Sequence, residues 1–310
     1  MKKPPPETLP APPVHTAGRP TLRVLGTEIT LLEQLRRRAE DDLGIDVVFE
    51  SLDFLGAQRK AAVSPDTFDV YDQCFHNLDI VWYWRAVQPI DVSRIALWDE
   101  VTDLTRAGRI SPSARIGKGD APVTKLYVQP GLSLGSAPSA HISILPTVHN
   151  LDSFAFRPDL LAGGADAGVS WASLLDDRWR GMATLVDEPA IGIFDAALAA
   201  QAAGVLSFED IGNMTTVEID RLLDLLVERK RAGHFAGFWR TAAEAAAVMS
   251  RGQAAIGSMW SPGVTALRRA GVGVREAVPR EGYRAWHGGL CLSRRLDGRM
   301  LDVAYEYLNW

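Results

Sequence analysis

Strand-like and helix-like segments alternate along the N-terminal third of the chain, and this alternation constrains the fold more than any other feature. The run TLRVL predicts a strand, TLLEQLRRRAEDDLG predicts a helix that ends at Gly44, and IDVVFE predicts a second strand. FDVY and HNLDIVWYWRA repeat the pattern. Because a helix between two strands brings the chain back in the same direction, we expect an α/β fold with a mainly parallel sheet.

The alternation stops between residues 106 and 140 and then resumes. Gly, Pro and Ser are frequent in this interval and predict loop with a short hairpin. Beyond it, the segments read as strands are HISILPTV, SFAFRP, MATLV, QAAIGSMW, VGVREAVP and RAWHGGLCLS, with amphipathic helices such as TVEIDRLLDLLVERKRAG between them. The last segment, MLDVAYEYLNW, predicts a helix that stops on an apolar turn, so we expect the chain to be truncated after Trp310.

Composition bounds the class of protein. The chain has 310 residues, 47% of them hydrophobic, which is typical of two domains with a sizeable core. Its net charge of −5 argues against a nucleic-acid partner, because such proteins need a basic surface. No apolar run reaches the roughly 18–20 residues of a membrane span, so we expect no membrane insertion. Cys74 and Cys291 lie in apolar runs and predict buried free thiols.

The first 20 residues, MKKPPPETLPAPPVHTAGRP, predict a Pro-rich disordered tail. A secretory signal peptide requires an apolar segment after its lysines, and none follows Lys2 and Lys3. Two interpretations stay open on this evidence. The protein is cytosolic, or it is exported and the numbering starts after, or in place of, a removed signal peptide.

Motifs for catalysis and for cofactors are weak or missing in the sequence. GLSLG, from Gly131 to Gly135, matches the G-x-S-x-G nucleophile pattern, but prolines flank it where a helix should begin. The six histidines show no metal-ligand spacing, and neither phosphate-binding glycine motif occurs. We therefore expect no catalytic residue, no metal and no cofactor.

Polar and aromatic residues recur where predicted strands end, which is where open α/β sheets bind ligands. Each group also has a purely structural interpretation, since carboxylates favour the first turn of a helix and tryptophans pack in cores. The repeated location favours ligand binding. The expected ligand-binding residues are Thr27, Glu28, Gln73, Cys74, His76, His149, Asp152, Asp187, Glu188, Trp260, Ser261, Trp286, His287 and Gly288.

Five stretches together resemble bacterial extracellular solute-binding proteins of the spermidine/putrescine-binding type, the receptors of ABC importers. They are TEITLLEQLRRRAEDDLGIDVVFE, TFDVYDQCFHNLDIVWYWRAVQPID, VSWASLLDDRWRGMATLVDE, GQAAIGSMWSPG and AVPREGYRAWHGGLCLS. AYEYLNW is similar to the start of a family helix that continues further. The resemblance covers the chain from about residue 20, and the last two stretches with this helix are its most specific part.

The resemblance implies a type II periplasmic-binding-protein-like fold, in which two α/β lobes joined by two hinge crossings close on a ligand. Lobe I is expected over residues 21–150 plus 273–310, and lobe II over residues 151–272. The crossings are expected near Asp152–Arg157 and near Val272–Val278. The implied protein is a monomer located in the periplasm, and its partners are a small-molecule ligand and an ABC importer permease.

Only some of the family's ligand-binding positions have matching residues in this chain. The resemblance matches the cleft tryptophans to Trp260 and Trp286, but Gly288 stands where polyamine binders have an aspartate. Gly26 and Ile29 stand where aromatic residues are expected. Polyamine recognition needs carboxylates and aromatic faces, so these losses favour a smaller organic cation held by the remaining acidic residues. The histidines equally fit an anionic or hydroxylated ligand.

The leading hypothesis is therefore a non-enzymatic protein that binds a small polar organic solute, polyamine-like or another amine, for an ABC importer. One alternative is an enzyme on a similar two-lobed fold that uses Ser133, which requires a helix directly after that serine. Another is a cytosolic ligand-sensing domain. The sequence alone leaves the ligand open.

Overall fold

The computed structural model describes residues 18–114, 121–161, 163–164 and 166–310. The predicted Pro-rich tail, residues 1–20, lies outside this part of the chain except for its last three residues. The N-terminal half contains the strands β1 (Thr21–Gly26), β2 (Asp46–Ser51), β3 (Val70–Cys74), β4 (Val87–Gln88), β5 (Ile90–Asp91), β6 (Tyr127–Val128), β7 (Leu134–Gly135), β8 (His141–Ile142) and β9 (Leu145–Phe156). Its helices are α1 (Glu33–Leu43), α2 (Phe54–Val63), α3 (Leu78–Tyr83), α4 (Asp103–Arg106) and α5 (Val123–Leu126).

The C-terminal half has longer helices and shorter strands. Its strands are β10 (Ala183–Val186), β11 (Phe235–Trp239), β12 (Ile256–Met259), β13 (Arg275–Glu276) and β14 (Arg284–Ser293). Its helices are α6 (Pro189–Ala202), α7 (Thr216–Arg231), α8 (Ala242–Ser250), α9 (Ser261–Arg269) and α10 (Gly298–Asn309). Local sequence explains the starts of α7 and α8, which carry complete capping boxes at Thr215 with Glu218 and at Thr241 with Glu244.

One curled ten-stranded sheet runs through the molecule in the order β11-β10-β12-β9-β14-β3-β1-β2, with β13 on β9 and β4 on β14. Its two ends are parallel, as the strand–helix alternation predicts, because β1 pairs with β2 and β3, and β10 pairs with β11 and β12. The middle is antiparallel, since β9 and β14 run against each other and against their outer neighbours. The expectation of a mainly parallel sheet was therefore wrong, and the sheet is mixed.

Strand β9 is shared between the two ends of the sheet. It pairs with β14 as far as Asp152, opposite Arg284, and with β12 from Ser153, opposite Met259. The sequence predicted two strands here, HISILPTV and SFAFRP, and the structure joins them through the polar HNLD segment. The polar segment stays extended because its backbone pairs with β14 while several of its side chains are exposed.

The hydrophobic core forms separate clusters at the two ends of this shared strand. One cluster packs β1, β2 and β3 against α10 through residues such as Leu22, Val70 and Leu308. A second surrounds Trp171 and Phe154, and a third surrounds Trp239 and Trp260 on the same side as the second. Residues 277–283 connect β13, which pairs with the far end of β9, to β14. The lobe boundaries given from the sequence stay a prediction.

Candidate functional site

A cavity of about 240 Å³ lies where the ends of β1, β3, β9 and β14 meet the first turns of α6 and α9. It therefore lies between the divided cores. Strand ends form one wall and helix starts the other, because α6 and α9 follow β10 and β12 directly. Nine residues expected from the sequence line it, namely Thr27, Gln73, Cys74, His76, Asp152, Trp260, Ser261, Trp286 and Gly288.

Aromatic side chains form the wall at the α9 end of the cavity. Trp260 is buried, and its ring meets Trp239 edge-on with centroids 4.8 Å apart. On its other side it meets Phe54, at the first position of α2, with centroids 5.7 Å apart. Phe54 and Trp239 therefore pack against Trp260 within the third core cluster, beside the cavity. The aromatic faces provide an apolar surface for a ligand, and also one that attracts cations.

Asp72 supplies an unpaired carboxylate to the cavity. It lies on β3, is only 9% exposed, and forms no ion pair with any described residue. Burial raises the pKa of its carboxyl to about 6, and the Thr30 hydroxyl acts in the opposite direction. At neutral pH the group is mostly ionised, and no basic side chain in the described part of the chain pairs with it.

Arg284 supplies the cation of this region, and two carboxylates already hold it. Its Nε donates to Asp195 on α6 over 2.7 Å, and its Nη2 donates to Asp152 on β9 over 3.1 Å. All three side chains are buried, with 10% or less of each exposed. Burial raises the pKa of Asp152, while the guanidinium acts to lower it. The cluster links β9, β14 and α6 across the cavity.

Carboxylates exceed basic groups around the cavity. One oxygen of Asp195 and one of Glu188, which precedes α6, are buried and have no hydrogen-bond partner among the residues that the structure describes. Burial also raises the pKa of the Glu188 carboxyl. Among the described residues that line the cavity itself, Asp72 and Asp152 are the carboxylates and Arg284 is the one cationic side chain. Such an excess favours a positively charged ligand over an anion.

A second cavity of about 210 Å³ lies on the other side of Trp286. His287 lines it, and the Nδ1 of this residue is 3.2 Å from the Thr105 hydroxyl. Burial lowers the pKa of His287 to about 4 and that of His76, which lines both cavities, to about 3. Both imidazoles are therefore neutral at physiological pH. The Nε2 atom of His76 is buried, and no described residue forms a hydrogen bond with it.

Four residues expected at the site line neither cavity. Glu28 is exposed, and Asp187 forms an ion pair with Arg240 over 2.9 Å. Glu188 is buried at the start of α6. His149 is exposed and stacks on His287 with ring centroids 5.5 Å apart. Among the lining residues, burial raises the thiol pKa of Cys74, which therefore stays protonated.

Asp72, Phe54, Thr30 and Arg284 line the first cavity, and the sequence analysis missed all four. A charged residue within or beside an apolar strand was the available signal, because Asp72 interrupts VYDQC and Arg284 opens RAWHGGLCLS. The GLSLG motif has a different context from that of a nucleophile. Ser133 is followed directly by strand β7, so the strand–turn–helix arrangement required by the enzyme hypothesis is not present there.

Comparison with known proteins gives the fold. No family model and no curated protein sequence matches the chain, but many solved structures do. A spermidine/putrescine ABC transporter substrate-binding protein, PotD, from Streptococcus pneumoniae is 14% identical with a TM-score of 0.63, covering 94% of this chain and 77% of that one. The TpPotD lipoprotein of Treponema pallidum is 12% identical with a TM-score of 0.68, over 93% and 79%.

A third similar structure is MotA from A. tumefaciens B6 in complex with glucopine, with 15% identity, a TM-score of 0.61, and coverage of 94% and 77%. In the part of the chain that the structure describes, no helix is long and apolar enough to cross a membrane. The resemblance seen in the sequence is confirmed for the fold. The chain has the two-lobed α/β fold of the periplasmic substrate-binding proteins of ABC transporters.

Proposed function

We propose that this protein binds a small organic cation in the cavity between its lobes and delivers it to the permease of an ABC importer. The single observation that carries the proposal is Asp72, a buried carboxylate that lines the cavity without a basic partner among the described residues. A cationic ligand would supply that partner. Solved proteins of the same fold include a spermidine/putrescine ABC transporter substrate-binding protein and MotA in complex with glucopine.

The cavity walls support an amine with an apolar body. Trp260, Trp286 and Phe54 would contact the carbon chain, while Asp72 would hold the ammonium group. The Gln73 amide nitrogen is buried, has no hydrogen-bond partner within the described ranges of the chain, and would donate to a hydroxyl or carbonyl of the ligand. Among the remaining expected residues, Thr27, Cys74, His76, Asp152, Ser261 and Gly288 would complete the contact surface.

Delivery to a permease places the protein outside the cytoplasmic membrane, in the periplasm, where a binding protein can capture an external solute. The mechanism is non-enzymatic. Contacts from both lobes would favour the closed arrangement, because the ligand gains affinity only where both walls reach it. We propose the protein to be a monomer whose functional partners are the solute and the permease.

Isothermal titration with primary amines tests the proposal. We expect n-butylamine and longer amines to bind wild type at pH 7.5, and Asp72→Asn to weaken binding by about 10- to 100-fold, because the ammonium loses a charge-assisted hydrogen bond. The matched control is Asp41→Asn, which removes an exposed carboxylate from the same lobe and should leave affinity unchanged. Equal affinity of wild type and Asp72→Asn, or tighter binding of organic acids than of amines, would contradict the proposal.

A further inference from the structure

The cleft contains two chambers rather than one. The first is the 240 Å³ cavity with Asp72, and the second is the 210 Å³ cavity with His287. Trp286, Arg284, His76 and Ile191 contribute to the walls of both chambers, so the two are direct neighbours. A ligand that passes Trp286 would occupy both.

The chambers differ in charge. Asp72 and Asp152 line the first chamber, and no carboxylate lines the second among the residues whose positions are described. The charged side chain that lines the second chamber is Arg284, which also lines the first. An ammonium group moved from water into the second chamber would lose its hydration without gaining a carboxylate from the described residues. A second positive charge on the ligand is therefore disfavoured there.

The second chamber has walls suited to an uncharged ring. Phe75, Phe194 and Pro122 give it apolar surface, and Trp286 adds an aromatic side chain at the boundary. His287 already uses Nδ1 with Thr105, and it is neutral at physiological pH. Burial of an aromatic group against such walls is favourable.

From this asymmetry we infer that the ligand is bipartite, with one ammonium group in the first chamber and an uncharged, ring-bearing group in the second. This inference rests on the proposed function and narrows it to aryl-alkyl monoamines. Linear diamines and polyamines, which carry a charge at each end, are expected to bind less tightly.

Three ligands with the same four-carbon chain test the inference in wild type: n-butylamine, 4-phenylbutylamine and putrescine. We expect the affinity for 4-phenylbutylamine to be at least about 10-fold higher than that for n-butylamine, because the phenyl group buries apolar surface. The affinity for 4-phenylbutylamine should also exceed that for putrescine by about 10-fold, because the second ammonium group of putrescine is desolvated without a partner. Tighter binding of putrescine, or of spermidine, would overturn the inference while leaving the proposed function standing.

A variant that fills only the second chamber gives an independent test. Ala190 lines that chamber but not the first, so Ala190→Leu should weaken 4-phenylbutylamine binding by about 10-fold and leave n-butylamine within about 2-fold. Ala266→Leu, at an exposed position of α9, is the matched control. Equal weakening of both amines in Ala190→Leu would overturn the inference. Failure of all amines to bind wild type would instead remove the proposed function, and the inference with it.

Discussion

At the scale of single residues, Asp72 contradicts the usual rule that buried charges are paired. A folded domain gains nothing in stability from a lone carboxylate at a strand end, since burial disfavours its charged form. We therefore attribute the residue to the proposed ligand rather than to the fold. Asp152 differs, because Arg284 pairs with it.

The pH dependence of stability should show the energetic cost of Asp72. Its folded-state pKa of about 6 exceeds the ordinary value of 3.8, so the folded state holds the proton more tightly. Asp72 consequently destabilises the ligand-free fold at high pH, and this effect is relieved as pH falls from 6 to 4. We expect Asp72→Asn to be more stable than wild type at pH 8 by up to about 3 kcal/mol, and this gap to close by about pH 4.

Urea unfolding of the ligand-free proteins between pH 4 and 8 measures this gap. Asp41→Asn serves as the control, because its side chain is exposed and the variant should follow the wild-type stability curve. A constant difference between Asp72→Asn and wild type across the range would show that the carboxyl is not perturbed by burial.

The sequence predicted the two tryptophans of the cavity but not Asp72, its unpaired carboxylate. Trp260 and Trp286 stand beside recognisable strand ends and matched the family pattern. The burial of Asp72 depends on the position of β3 between β1 and β14, and β14 is distant from β3 in sequence. Gly289 has a similar tertiary explanation, since a Cβ there would lie 2.3 Å from the Leu145 carbonyl oxygen.

At the scale of elements, β9 connects the two ends of the sheet and changes partner between Asp152 and Ser153. The sequence pattern predicts two strands in place of β9, because the central residues of β9 are polar and interrupt the apolar pattern. The long helices were easier to predict, since periodicity and caps are local signals, as at Thr215 and Glu218 of α7. The two-residue strands carry too little pattern for any such prediction.

The ion cluster of Arg284 should stabilise the junction of β9, β14 and α6. Arg284→Gln leaves Asp152 and Asp195 buried without their partner, so we expect a loss of about 3–5 kcal/mol in the free energy of unfolding at pH 7.5. Arg280→Gln is the control, because its side chain is 74% exposed and its ion pair with Glu281 contributes about 0–1 kcal/mol. Chemical denaturation compares the two variants, and similar losses for both would refute a structural role for the cluster.

At the scale of the whole molecule, the resemblance to a family predicted the two-lobed fold. The sequence did not predict the direction of the central strands. Alternation predicts parallel strands, and it holds at both ends of the sheet. The central strands β9 and β14 are antiparallel because they pair with each other and connect the two parallel ends of the sheet, a tertiary arrangement without a local signal. Opposed walls with Asp72 on one and Trp260 on the other are the arrangement that hinge closure requires.

Small-angle X-ray scattering with increasing 4-phenylbutylamine tests the central claim, that the two lobes close on an organic cation held by Asp72. We expect the radius of gyration of wild type to decrease to a plateau as the amine concentration rises. Half of this decrease should occur at the midpoint concentration measured by titration. In Asp72→Asn the same contraction should need about 10- to 100-fold more amine. A wild-type radius of gyration that stays constant at saturating amine, or a contraction that Asp72→Asn undergoes at the wild-type midpoint, would contradict the claim.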